Sequence, residues 1–78
     1  MILSKASPPK KYLYVIGANI IEILLDNDSE ALPPISLYEK YKIKHNSISL
    51  SYIIYGLDWL FIIDAIYLDE SGDIKLCN

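Results

Sequence analysis

Between Lys10 and Leu25 the apolar residues Leu13, Ile16, Ile20, Ile23 and Leu24 recur at helical spacing, while Asn19, Glu22 and Asp26 recur on the other side. Ser7-Pro8-Pro9 suits the start of this helix, because proline's missing N–H is not needed in a first turn. Gly17 falls on its buried flank; a mid-helix glycine costs up to about 1 kcal/mol against alanine, so a close approach of another element is expected there. A polar break from Asp26 to Glu30 follows, and Pro33-Pro34 opens a second helix with Ile35, Leu37, Tyr38 and Tyr41 facing inward and Lys40 and Lys44 outward. His45-Asn46-Ser47 breaks the chain again, and Ser49 is a good N-cap for a third helix. Ile48 and Ile53 are spaced as a hydrophobic staple around that start. The third helix's core stripe is expected to be Leu50, Ile53, Ile54, Leu57, Leu60 and Phe61. After Asp64 the period changes to alternation: Ile66 and Leu68 oppose Tyr67, and Ile74 and Leu76 oppose Lys75. The segment Asp69 to Asp73 between them reads as a hairpin turn, with Gly72 free to take a positive φ.

The pattern predicts helices over about 9–25, 34–44 and 49–63 and a hairpin over about 65–77, in one domain spanning 1–78. This is an α+β, mainly α chain with the layout of a small winged helix-turn-helix-like domain, the hairpin being the wing and Ile2-Leu3 an additional strand. At 78 residues a single small core is all the chain can build, yet 53% of it is hydrophobic, which excludes a disordered chain. The start of the chain lacks the apolar region of a signal peptide. Leu50 to Leu68 is apolar enough to resemble a membrane span, but Asp58 and Asp64 would each cost roughly 2.5–3.5 kcal/mol at a bilayer centre. A soluble, cytoplasmic protein is expected, and the single cysteine, Cys77, agrees with a reducing compartment.

Little in the chain suggests catalysis or a cofactor. Asp26, Asp28 and Glu30 stand at the first, third and fifth positions of a would-be calcium loop, but Ala31 replaces its glycine and Leu37 its final glutamate. His45 has no second histidine or cysteine near it in sequence and reads as a surface residue, and Cys77 as terminal packing. No phosphate-cradling glycine loop or nucleophile elbow is present, so no catalytic, cofactor or metal residues are assigned.

A second stripe on the third helix is more informative. Tyr52, Tyr55, Trp59 and Ile62 lie nearly opposite the expected core stripe, where a monomeric helix usually keeps polar residues. They are read as a protein interface, with Asp58 at its border pairing a lysine of the second helix or a basic group on a partner. Cover by another part of the same domain is the alternative, and self-association is open for the isolated chain. Nucleic acid is a poor fit to this region. The net charge is −3, and between Asn46 and Ile74 there are five acids and no Lys or Arg, so a third helix in a DNA groove would repel phosphate. Lys10, Lys11, Lys40 and Lys44 are the candidates for weak nucleic-acid contact.

Taken together, these residues resemble the middle component 6 family of bacterial ABC-three-component systems. The resemblance runs through Ile2-Leu3-Ser4-Lys5, Pro9, Leu13, Ile16-Gly17-Ala18, Ile21 and Leu24-Leu25, then Leu37-Tyr38. It is closest from Ser49 to Leu68, through Leu57-Asp58, Leu60-Phe61 and Ala65-Ile66. Ser4 and Ala6 stand where the family usually has Pro and His, and Asp64 where it usually has Gly. The resemblance implies a small non-catalytic subunit that links an SMC/Rad50-like ABC ATPase to an effector, in defence against phages and plasmids. It brings no catalytic residues. A winged-helix DNA-binding regulator and an antitoxin-like inhibitor of an effector are the alternatives.

Overall fold

The computed structural model describes residues 10–27 and 30–77, and side chains from Tyr12 onward. Three helices, α1 (Lys10–Asp26), α2 (Pro34–Lys44) and α3 (Leu50–Ile62), are followed by an antiparallel hairpin of β1 (Ile66–Leu68) and β2 (Ile74–Leu76). This is the mainly helical α+β arrangement expected from the pattern. The suggested strand at Ile2-Leu3 lies outside the described residues. A different segment extends the sheet: Leu32 and Ile74 exchange backbone hydrogen bonds of 2.9 and 2.7 Å. Leu32 precedes Pro33, which disfavours helix and favours extended backbone at that position, so the bridge has a local cause.

Each boundary has its own chemistry. Pro33 caps α2 with extended backbone (φ −60°, ψ 146°), and Pro34 opens the helix proper. Ser49 caps α3, its Oγ accepting from the Tyr52 N–H at 3.4 Å. The Tyr38 hydroxyl donates to the Ile48 carbonyl at 3.1 Å, tying α2 to the segment that enters α3. At the other end of α3, Asp64 adopts φ 60°. The Ala65 N–H reaches Leu60 O at 2.9 Å and the Asp64 N–H reaches Phe61 O at 3.1 Å, which is the paired hydrogen-bond pattern of a Schellman cap. The hairpin turn rests on Asp69: one carboxylate oxygen accepts the N–H groups of Ser71 (2.9 Å) and Asp73 (3.0 Å), with Gly72 at φ 82°.

α1 is the hub of the domain. It packs on α3 most extensively and also on α2 and β2, while α3 reaches β1. Ile16, Ile20, Ile23 and Leu24 of α1 are buried against Leu37 and Tyr41 of α2, Ile53, Leu57 and Leu60 of α3, and Leu32, Ile66 and Ile74 of the sheet. The α1–α3 contact is made close by two glycines. A Cβ on Gly17 would lie 2.5 Å from a ring carbon of Trp59, and one on Gly56 would lie 2.6 Å from Cγ2 of Ile16. Each helix thus gives up a side chain where the other sends a large one.

Three expectations of inward packing are corrected. Leu50 and Ile54 were expected in the core, but each is 46% exposed. At about 100° per residue, the buried arc of α3, formed by Ile53, Gly56, Leu57 and Leu60, is turned by roughly 50° from the expected stripe. The glycine contact explains the turn, because it brings Gly56 to the centre of the seam and swings Leu50 and Ile54 outward. Ile35 lies in the first turn of α2 and is 61% exposed. On α1, Asn19, Glu22 and Asp26 meet α2, leaving Tyr14, Val15 and Leu25 on the exposed side.

Gly17→Ala and Gly56→Ala are each expected to destabilise the domain, since about 1 kcal/mol of gained helix propensity is outweighed by overpacking of roughly 1–3 kcal/mol or more. Each should lower Tm by several degrees in a circular-dichroism melt, at about 4–8 °C per kcal/mol for a domain of this size. Asp64→Gly should move the other way, by up to about 1 kcal/mol, because the left-handed position no longer carries a Cβ.

Candidate functional site

The aromatic stripe of α3 divides into two parts. Tyr52 and Trp59 turn toward α1: the Tyr52 ring meets Tyr12 edge to face at 5.6 Å, and the Trp59 ring lies 5.0 Å from that of Tyr14. Both are partly buried against the core, and Trp59 fills the notch left by Gly17. α1 therefore supplies much of the cover for this half of the stripe. Ile62, by contrast, is 78% exposed, Asp58 is exposed, and Tyr55 is half-buried.

The outward face of α3 carries a different line of residues. Leu50, Ile54, Asp58 and Ile62 are spaced by four, so they form an inclined row that turns about 40° at each step round the exposed surface of the helix. Ile63 and Asp64, both exposed, continue the surface past the helix end. Asp58 makes no ion pair among the described residues, so the expected bond to a lysine of α2 is not formed there. Sequence periodicity missed Leu50 and Ile54 as surface residues. α3 is apolar almost all round, and only the glycine at position 56 hinted at which side meets α1.

The polar groups of α1 and α2 form a seam away from this face. Asn19 Nδ2 donates to the Tyr41 hydroxyl at 3.1 Å, and Lys44 pairs with Asp26 on the surface. Burial raises the Tyr41 phenol above its ordinary pKa, against a smaller opposing effect of the Asn19 hydrogen bond. His45, expected at the surface, is instead mostly covered: its ring packs 5.1 Å from that of Tyr41, and Nε2 lies 3.1 Å from Glu22 Oε1 without the alignment of a hydrogen bond. An open cleft beside this seam is lined by Ile23, Asp26, Asn27, Lys40, Ile43 and Lys44.

The lysines proposed for nucleic-acid contact do not converge on α3. Lys40 and Lys44 belong to the α2 side of the cleft, and Lys44 is engaged by Asp26. Lys42 sits 4.6 Å above the Tyr38 ring. The side chains of Lys10 and Lys11, at the start of α1, lie outside the described set. Among the described residues no three His, Cys, Asp or Glu side chains gather as a metal site, and the Cys77 side chain is exposed. No helix among them is long and apolar enough to cross a membrane.

The two halves of the stripe are separable by mutation. Trp59→Ala removes packing across the glycine seam and should lose a sizeable part of the roughly 3–5 kcal/mol typical of buried tryptophans. Ile62→Ser should stay within about 0.5 kcal/mol of the parent, as an exposed substitution does. Thermal melts of the two variants check both outcomes. A Trp59→Ala variant as stable as the parent would mean that the ring does not hold α1 to α3.

Searches of curated proteins and of solved structures return no match. The family comparison does, and it spans the opening segment, all three helices and the hairpin. Its match to ABC-three component (ABC-3C) system Middle Component 6 over residues 3–77 makes the chain a member of that family.

Proposed function

We propose that the protein is a non-catalytic, cytoplasmic adaptor of an ABC-three-component system, joining an SMC/Rad50-like ATPase to an effector through protein–protein contacts in defence against foreign DNA. Family membership supports a role in such a system. The observation that carries the adaptor reading is the chemistry of α3's outward face. Leu50, Ile54 and Ile62 are exposed apolar residues on one line, interrupted only by Asp58. In a winged-helix DNA reader the corresponding face carries donors to phosphates and base edges. This face carries no cation, and the flanking segments from Asn46 to Ile74 add only acids. An apolar line with a single charge suits burial against another protein.

On this reading Ile62, Asp58 and the half-buried Tyr55 keep their place in the interface, joined by Leu50 and Ile54. Tyr52 and Trp59 contribute chiefly by holding α3 at its angle to α1. Co-expression with an SMC/Rad50-like ATPase and an effector of the same system, followed by affinity purification, is the direct test. The three proteins should co-purify, and Ile62→Asp should reduce recovery of a partner at least tenfold while leaving the domain folded. Duplex DNA should bind the isolated chain no tighter than the roughly 10⁻⁴–10⁻⁶ M of non-specific contacts at physiological salt. A nanomolar, sequence-selective DNA complex would replace the adaptor with a regulator.

A further inference from the structure

We infer that the outward line of α3 docks a helix of a protein partner whose apolar ridge is flanked by Lys or Arg. This rests on the adaptor reading and adds the chemistry of the partner. The first argument is geometric. Leu50, Ile54, Asp58 and Ile62 recur at i, i+4, i+8 and i+12 on a 13-residue helix, an inclined ridge that rises about 18 Å and turns about 120° round the axis, the kind of row that packs into a groove of a second, crossing helix.

The second argument is charge complementarity. Asp58 interrupts the ridge between Ile54 and Ile62, is exposed, and makes no ion pair among the described residues. Asp64 is exposed just past the helix end. Closing an apolar surface over Asp58 leaves its carboxylate desolvated unless the incoming surface brings a cation, and a cation at the ridge's edge satisfies it at least cost. No lysine or arginine of this chain between Asn46 and Ile74 can play that part.

The same carboxylate disfavours the other occupants. A second copy packing its α3 on this one about a two-fold axis brings no Lys or Arg of that helix to either Asp58, between chains that each carry a net charge of −3. A nucleic acid or an anionic lipid surface meets Asp58 and Asp64 with like charge.

The test uses two fluorescent helical peptides of roughly 18 residues, long enough to hold helix in an alanine-rich background. Both carry the same leucine ridge, flanked by lysines in one and by glutamates in the other. Anisotropy titrations against the full chain should show the lysine peptide binding at least tenfold tighter. Amide shift changes in the ¹⁵N-labelled protein should centre on Leu50, Ile54, Asp58 and Ile62. Asp58→Lys, an exposed substitution whose folding is checked by circular dichroism, should reverse the order of the two peptides. Equal binding, preference for the glutamate peptide, no binding of either, shifts centred elsewhere, or an order unchanged in Asp58→Lys would each overturn the inference. If Ile62→Asp still disrupts the co-expressed complex while the peptides show no such preference, the adaptor reading stands and the partner chemistry alone falls. If the complex ignores Ile62→Asp, the adaptor surface itself is wrong.

Discussion

The close approach of α1 and α3 sets the geometry on which the remaining elements depend. It is made by exchange: Gly17 admits the Trp59 ring, and Gly56 admits Ile16 with Ile20 beside it. Neither notch is generic. A methyl group at either position would overlap a large side chain of the facing helix, and Ile16 is β-branched and fully buried, with little freedom to swing away. Because α1 also carries the contacts to α2 and β2, an altered α1–α3 separation would be felt throughout the small core.

That contact also decides which residues of α3 meet solvent, and it marks where the sequence was legible. Element order, the Ser49 cap and the hairpin turn at Gly72 all follow from local chemistry that a sequence displays directly. The rotation of α3 does not. Leu50-Ser51-Tyr52-Ile53-Ile54-Tyr55-Gly56-Leu57-Asp58-Trp59-Leu60-Phe61-Ile62 has large apolar residues on every side, so periodicity offers several nearly equal faces. The choice among them is made by fit against α1. Gly17 was readable as a close contact, but not that its partner would be Trp59, nor that half of the candidate stripe would lie against α1.

Other differences have the same origin in tertiary partnering. Asn19, Glu22 and Asp26 look like a solvated helix face in sequence, yet they meet Tyr41, His45 and Lys44. The arrangement gives α1 a polar seam with α2 on one side and an apolar seam with α3 on another. The surface ion pair between Asp26 and Lys44 adds at most about 1 kcal/mol. The seam's main effect is on orientation, since Asn19 and Tyr41 satisfy one another only when the helices align. Leu32 was readable only after the fact, as an apolar residue held extended by Pro33 and close enough to Ile74 to complete the sheet.

Among the described residues, the arrangement leaves one side of α3 exposed. α1 occupies its buried arc, β1 meets its far end, and α2 packs on α1 instead. Among the described residues, Leu50, Ile54 and Ile62 remain exposed. Making that line polar would remove the exposure at almost no cost to the core, because these side chains contribute little to it. The proposed partner surface accounts for an apolar row that contributes little to the core. A partner there would act on the same helix that the two glycines position. Binding would favour the folded domain by RT ln(1 + [L]/Kd), so stability of the glycine seam and occupancy of the outward face would rise and fall together.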